Sequence, residues 1–138
     1  GGFVMINTYE KNQILNNIFR NGEKTIYIGV SKTAPSEDGT NCTEPTASSY
    51  KRFAAKCDAT NWNESIQGST TNAVVFRFDE AQESWTTAAS PVTHWVIFDA
   101  ATSGNMMFYG ELMRAQEIPA GAVLEIPAEG LTTTVLNA

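Results

Sequence analysis

The feature that most constrains the fold is a change in hydrophobic period at about residue 21, from helical spacing before it to strand alternation after it. Within 7–20 one apolar stripe repeats at helical spacing, formed by Ile14, Leu15, Ile18 and Phe19. Asn7 followed by Glu10 resembles a capping box, and Asn21-Gly22 is typical of a helix end. The sequence therefore predicts one short amphipathic helix, which must bury its stripe on the protein's own sheet or on a neighbouring subunit.

After this helix the apolar residues occur in short alternating runs that turn residues separate. The predicted strands are 25–30, 50–59, 73–78, 92–98, 106–112, 121–127 and 131–136. No helical segment lies between them, so the crossover helices that a parallel sheet requires are missing. About seven or eight short strands of this kind indicate an all-β fold, either a sandwich or a barrel. The polar stretch 32–49 is longer than most loops, so we expect it to be functional or to be pinned by contacts.

The composition agrees with this fold class and narrows the range of partners. Only 17% of the residues are charged, against about 25% in an average protein, and Thr, Asn, Ser and Gly suit strands and turns. The net charge of −6 repels phosphates and anionic head groups, so we expect neither nucleic acid nor a membrane as partner. The length of 138 residues predicts a single domain, which we place over 7–138 with an N-terminal arm at 1–6 before it.

Few side chains are candidates for chemistry. His94 is the only histidine, which excludes multi-histidine metal sites, and its place in strand 92–98 predicts a packed, hydrogen-bonded residue. Cys42 and Cys57 either form a disulfide or, for Cys57 in an apolar-leaning run, leave a buried free thiol. Neither cysteine lies in the exposed turn that a nucleophile needs. We therefore expect no catalytic residue, no cofactor, no metal and no enzymatic activity.

Two segments have a ligand hypothesis beside a structural one. Strand 73–78 is followed by an acidic cluster that could bind Ca²⁺, formed by Asp79, Glu80 and Glu83. Because the cluster lacks the spacing of a calcium loop, a solvated turn is the favoured interpretation. The segment 99–105 is predicted as a hairpin turn in which Asp99 accepts hydrogen bonds from nearby backbone amides.

The three tryptophans could form an aromatic platform for sugars. Trp95 lies at the centre of a predicted strand, so we expect it in the core. Trp62 and Trp85 lie in turn-rich segments, where we expect exposure. The hypothesis of a carbohydrate-binding module rests on these two residues.

Five motifs follow the helix along the chain: IYIGVSKTAP (26–35), ATNW (59–62), THWVIFDAATSGN (93–105), FYG (108–110) and IPAG (118–121). In this order the chain resembles small virion structural proteins of tailed bacteriophages, described as head decoration (cement) or tail-fibre-like proteins. The resemblance extends from about residue 7 to 135. It implies an antiparallel β-sandwich of jelly-roll type and a non-enzymatic role on the particle.

The resemblance implies a capsid decoration protein on the outer surface of the head, with a tail-fibre or baseplate component as the alternative. The expected partners are then the major capsid protein and copies of the chain itself, in a dimer or trimer. We expect the contacts in the arm and helix, the loop 32–49 and the tail 131–138. The candidate contact residues are Phe3, Ile6, Tyr9, Pro35, Pro45, Trp62, Trp85, Leu131 and Leu136.

Overall fold

The computed structural model describes residues 2–136, in which one helix is followed by eight strands. The elements are α1 Thr8–Phe19, β1 Thr25–Ser31, β2 Phe53–Lys56, β3 Ser69–Thr71, β4 Phe76–Arg77, β5 Val92–Phe98, β6 Met106–Gln116, β7 Glu125–Ile126 and β8 Thr132–Thr134. Gly1 of the predicted arm, and Asn137 and Ala138 of the predicted tail, lie outside the described residues. No helix between residues 2 and 136 has the length and apolarity to cross a membrane.

The strands pair in three sheets, with orders β2-β1-β5-β6, β3-β8 and β4-β7. β5 is antiparallel to both β1 and β6, and β3 is antiparallel to β8. The all-β class with antiparallel sheets and one N-terminal helix is thus confirmed. The jelly-roll arrangement of the sheets stays a prediction.

By their internal contacts the residues group into two compact units. The first contains the chain up to Lys24, Lys56–Phe76 and the chain from Ile126 onward, and the second contains Thr25–Ala55 and Arg77–Glu125. Each unit is therefore built from segments that are distant in the sequence. For this reason no linker marks either unit in the composition, and the single domain over 7–138 stays a prediction.

In the first unit, α1 lies where the sequence predicts it. Asn7 Oδ1 accepts a hydrogen bond from the Glu10 N–H at 2.9 Å, which satisfies one of the free amides of the first turn. Leu15 and Phe19 are buried, and the Phe19 and Trp62 ring centroids lie 4.5 Å apart. The apolar stripe of the helix therefore packs inside its own unit.

In the second unit, β1 and β5 form the middle of the four-stranded sheet. Their register runs from Tyr27 opposite Phe98 to Ser31 opposite His94. The turn after β5 closes through Asp99, whose Oδ1 accepts the Asn105 N–H at 2.7 Å. The predicted hairpin of β5 and β6 is confirmed, and β6 continues beyond the predicted residue 112.

The segment before β4 differs from the prediction. The predicted strand 73–78 shortens to the two residues of β4, and Val74 and Val75 are exposed. The Asn72 side chain donates to the Val74 carbonyl oxygen at 2.9 Å, which occupies an acceptor that a strand ladder would use. β3 is not among the predicted strands, because its Ser-Thr-Thr sequence has no apolar alternation.

The structure joins neither Cys42 nor Cys57 in a disulfide, so the disulfide alternative is wrong. Cys57 is buried, which confirms the interpretation of a buried thiol. Cys42 is half-buried, and burial together with the negative charge of Glu44 raises the pKa of its thiol. A raised pKa leaves little thiolate at neutral pH, so Cys42 lacks the activation of a nucleophile.

Candidate functional site

The most connected polar group of the second unit is centred on Arg52. Its guanidinium pairs with the Glu44 carboxylate at 2.7 Å and donates to the carbonyl oxygens of Ala100 and Ser103 at 2.7 and 2.8 Å. The Tyr50 hydroxyl donates to Glu44 Oε2 at 2.5 Å. The side chains of Arg52 and Glu44 are only 8% and 20% exposed. This network therefore ties one end of the long polar loop to the turn between β5 and β6.

The loop 32–49 is held along its length by hydrogen bonds. Ser31 Oγ donates to the Thr33 carbonyl oxygen at 2.7 Å and accepts the Thr43 N–H at 2.9 Å. The Thr33 hydroxyl in turn donates to the Asn41 carbonyl oxygen. Of the two alternatives for this loop, the structure supports the one in which contacts pin it.

Each unit has an open hollow on its surface, among the residues that the structure describes. The hollow of the second unit has a volume of about 270 Å³ and is lined by Glu44, Pro45, Tyr50, Lys51, Arg52, Ala101, Thr102 and Ser103. The hollow of the first unit has a volume of about 390 Å³ and is lined by Asn63, Glu64, Ile66, Ser69, Thr70, Thr71 and Glu129. Both linings offer hydroxyl and carboxylate groups, and neither contains a histidine or a cysteine. Both linings can therefore hydrogen-bond a polar partner.

The strand register aligns a serine, a histidine and a carboxylate across the four-stranded sheet. Ser31 of β1 lies opposite His94 of β5, and His94 lies opposite Glu111 of β6. No hydrogen bond joins these three side chains in the described structure. His94 Nδ1 bonds to Thr93 Oγ1 at 2.7 Å, and Ser31 Oγ is used by the loop. The alignment therefore does not form the relay of a catalytic triad.

The acidic residues that follow β4 are engaged separately. Glu83 accepts the Ser49 N–H at 2.7 Å, and this bond lowers the pKa of its carboxyl group. Asp79 pairs with Lys51 at 3.2 Å. Across residues 2–136, no group of three or more His, Cys, Asp or Glu side chains could hold a metal ion. The cluster that the sequence suggests for Ca²⁺ is therefore not gathered around one point.

The candidate contact residues divide by exposure. Phe3, Tyr9 and Leu136 are exposed, and Ile6 is half-buried. The other candidates are buried, namely Pro35, Pro45, Trp62, Trp85 and Leu131. The first four have side-chain surface within reach of a partner, and the contacts of all nine residues stay a prediction.

The expected exposure of Trp62 and Trp85 is wrong. The Trp62 ring lies 4.5 Å from Phe19 and 5.3 Å from Phe76, measured between centroids. Trp85 donates its indole N–H to Ser49 Oγ at 2.9 Å. Turn-rich backbone surrounds both residues, yet their large apolar area favours burial wherever the chain can cover it. The sequence around each tryptophan does not show which residues pack against its ring.

Other exposed apolar side chains were not identified from the sequence. On β6, Met113 is fully exposed and Tyr109 is about half exposed. In the first unit, Ile66 and Val75 are exposed as well. The alternation within 106–112 predicts a strand but does not show that this strand is the outer one of its sheet. That position follows only from the order β2-β1-β5-β6.

Comparison with known families adds the setting in which these surfaces act. The model of a family described as podophage GP4 fiber I protein gp80 matches residues 5–134. The chain belongs to this family. The match extends from the N-terminal arm to β8, and no curated protein matches the sequence. The predicted class of tailed-phage virion structural proteins is thereby confirmed, in its tail-fibre-like form.

Proposed function

We propose that this protein is a non-enzymatic structural subunit of a phage tail fibre. The observation that carries the proposal is the match of the fibre-protein family over residues 5–134. A fibre is an assembly of protein chains, so its subunit works through contacts with neighbouring chains.

Buried polar networks support the proposal, because a subunit of a fibre must keep one shape under load. In the first unit, the Asn72 side chain donates to the carbonyl oxygens of Val74 and Pro127 and accepts the Leu131 N–H. In the second unit, Arg52 fixes the loop and turn that it contacts. Fully satisfied networks of this kind rigidify the segments that they join.

Two competing functions differ in their support. Head decoration, with the major capsid protein as partner, is favoured by the motif order alone. In the fibre, the partners are copies of the chain and adjoining tail proteins, and the net charge of −6 argues against nucleic acid and membranes. The carbohydrate-binding hypothesis loses its basis, because the Trp62 and Trp85 rings are buried.

Localising the protein on intact particles tests the proposal. Particles are labelled with gold-conjugated antibodies against this chain, and separated heads and tails are probed by immunoblot with the same serum. We expect the label on the tail fibres and the signal in the tail fraction. Label confined to the head surface would replace the fibre with head decoration. Particles without any label would contradict both functions.

A further inference from the structure

We propose that the segment 2–6 of one copy pairs as a β-strand with the free edge of β6 on a second copy. This inference rests on the proposed fibre function and names the contact through which the subunits associate. It joins two features of the chain. One is an apolar arm, and the other is an open sheet edge.

The arm is apolar, and most of its side chains are exposed. Phe3 and Val4 are each 99% exposed, and Met5 is also exposed. The segment 2–6 lies outside any helix or strand, and its amide and carbonyl groups have no backbone partner among the described residues. Exposure of apolar side chains to water is unfavourable, and burial against a partner lowers the free energy.

The edge is formed by β6, which within residues 2–136 pairs with β5 alone. An unpaired outer strand exposes a row of N–H and C=O groups that can template a further strand. Proteins commonly protect such edges with Pro or with charged side chains, and β6 contains no Pro and two charged residues, Glu111 and Arg114. Its exposed side chains include Tyr109 and Met113, which offer apolar contact to an added strand.

The arm and the edge match in length. At about 3.3 Å per residue, the five residues of the arm span about 17 Å. β6 is eleven residues long, and its five positions from Tyr109 to Met113 match this length.

A second copy of a chain with net charge −6 is repelled at long range, so association needs a contact that adds no like charge. The arm is uncharged, and on β6 Glu111 and Arg114 cancel one another.

The arm and the β6 edge are different surfaces of the chain. Each copy can therefore give its arm to one neighbour and receive the arm of another. Two copies that exchange arms reciprocally form a closed two-fold dimer, and copies that give their arms to different neighbours form a ring or an open filament. Edge-to-edge pairing of two β6 strands is the principal alternative. It would need only one of the two surfaces, which allows the two modes to be separated.

The test measures the mass of the purified chain against concentration by sedimentation velocity. The arm variant carries Phe3→Ser and Val4→Ser, and the edge variant carries Tyr109→Lys and Met113→Lys. The control variant carries Ile66→Lys and Val75→Lys. Like the edge variant, it replaces two exposed apolar side chains with lysine and so adds the same charge. Met113→Lys alone serves as a second edge variant, because that side chain is fully exposed and its replacement leaves the core intact. Circular dichroism confirms that each variant is folded.

We expect the wild type and the control to gain mass with concentration, and each variant alone to stay a monomer. An equimolar mixture of the arm and edge variants should form a 1:1 complex, because the intact arm of one meets the intact edge of the other. Self-association of the arm variant would overturn the inference in favour of edge-to-edge pairing. A wild type that stays monomeric at all concentrations would also overturn it. Either result leaves the localisation of the protein on the fibre to be decided by labelling.

Discussion

The guanidinium carbon of Arg52 lies 3.6 Å from the centroid of the Phe98 ring. The same guanidinium group also pairs with the Glu44 carboxylate. Phe98 is the last residue of β5, and Arg52 directly precedes β2. One planar cation therefore has a ring against its face and a carboxylate at its edge. Lysine could satisfy either partner but lacks the flat fork that serves both at once.

Replacement of this arginine should be strongly destabilising. Arg52→Ala leaves Glu44 partly buried without its cation and should lower the free energy of unfolding by about 3 kcal/mol. Lys51→Ala is the control, because the ion pair of Lys51 with Asp79 is 73% and 67% exposed and contributes at most about 0.5 kcal/mol. Urea unfolding of both variants gives the comparison. Equal losses would contradict a special role for Arg52.

The buried amide of Asn72 should matter for the first unit in the same way. Asn72→Ala leaves the buried Leu131 N–H without its acceptor and should lower the free energy of unfolding by about 2 kcal/mol or more. Asn17→Ala changes an exposed asparagine of α1 and should alter stability by less than about 0.5 kcal/mol. Thermal unfolding distinguishes the two variants, and an Asn72→Ala melt that matches the wild type would refute the prediction.

Alkaline pH should destabilise the protein through Tyr50. Burial, and after it the negative charge of Glu44, raises the pKa of Tyr50 above its ordinary value of 10.0. The unfolded chain loses this proton from about pH 10 while the folded chain keeps it, so the free energy of unfolding falls as the pH rises above that point. Tyr50→Phe should flatten the fall between about pH 9 and 11.

Tyr109→Phe is the matched control, since it removes the same hydroxyl group from a tyrosine that is about half exposed. Urea unfolding at a series of pH values supplies the slopes. If Tyr50→Phe keeps the wild-type slope, the alkaline effect belongs to other groups.

The turn between β5 and β6 should tolerate no side chain at Gly104. Its φ is +78°, and an added Cβ would lie 2.6 Å from Asp99 Oδ1 and 2.7 Å from the Ala100 Cβ. Gly22 has a similar φ of +81° with open space around it. Gly22→Ala should therefore show only the backbone strain of about 1 kcal/mol, and Gly104→Ala should lose clearly more. Similar melting temperatures for the two variants would argue against the steric conflict.

Agreement between sequence and structure is best where a pattern is local. α1 has its own cap at Asn7 and its own apolar stripe, and β5 has an apolar run closed by the Asp99 turn. Disagreement is greatest at 69–78, where Asn72 bonds to Pro127 and Leu131, far along the chain. A side chain whose partners are so distant in sequence gives no periodic signal, so neither β3 nor the shortening of β4 could be foreseen.

The candidate contacts show the same division. Phe3 and Tyr9 are exposed apolar residues at positions where the sequence already predicts an arm and a helix surface. Trp62 and Trp85 are covered by Phe19, Phe76 and Tyr50, which come from other segments of the chain. Flanking turn residues describe the backbone of these tryptophans and carry no information on what packs against their rings.

The amino-acid sequence by itself determined the all-β class, the single helix and the acidic, lightly charged surface, because period, caps and charge act within a few residues. The tertiary structure alone decided that β6 is an outer strand, that Arg52 closes the long loop, and that two tryptophans are core residues. Those properties depend on which distant segments pack together. The free energy of such a contact depends on both residues that make it, so a single stretch of sequence does not determine it.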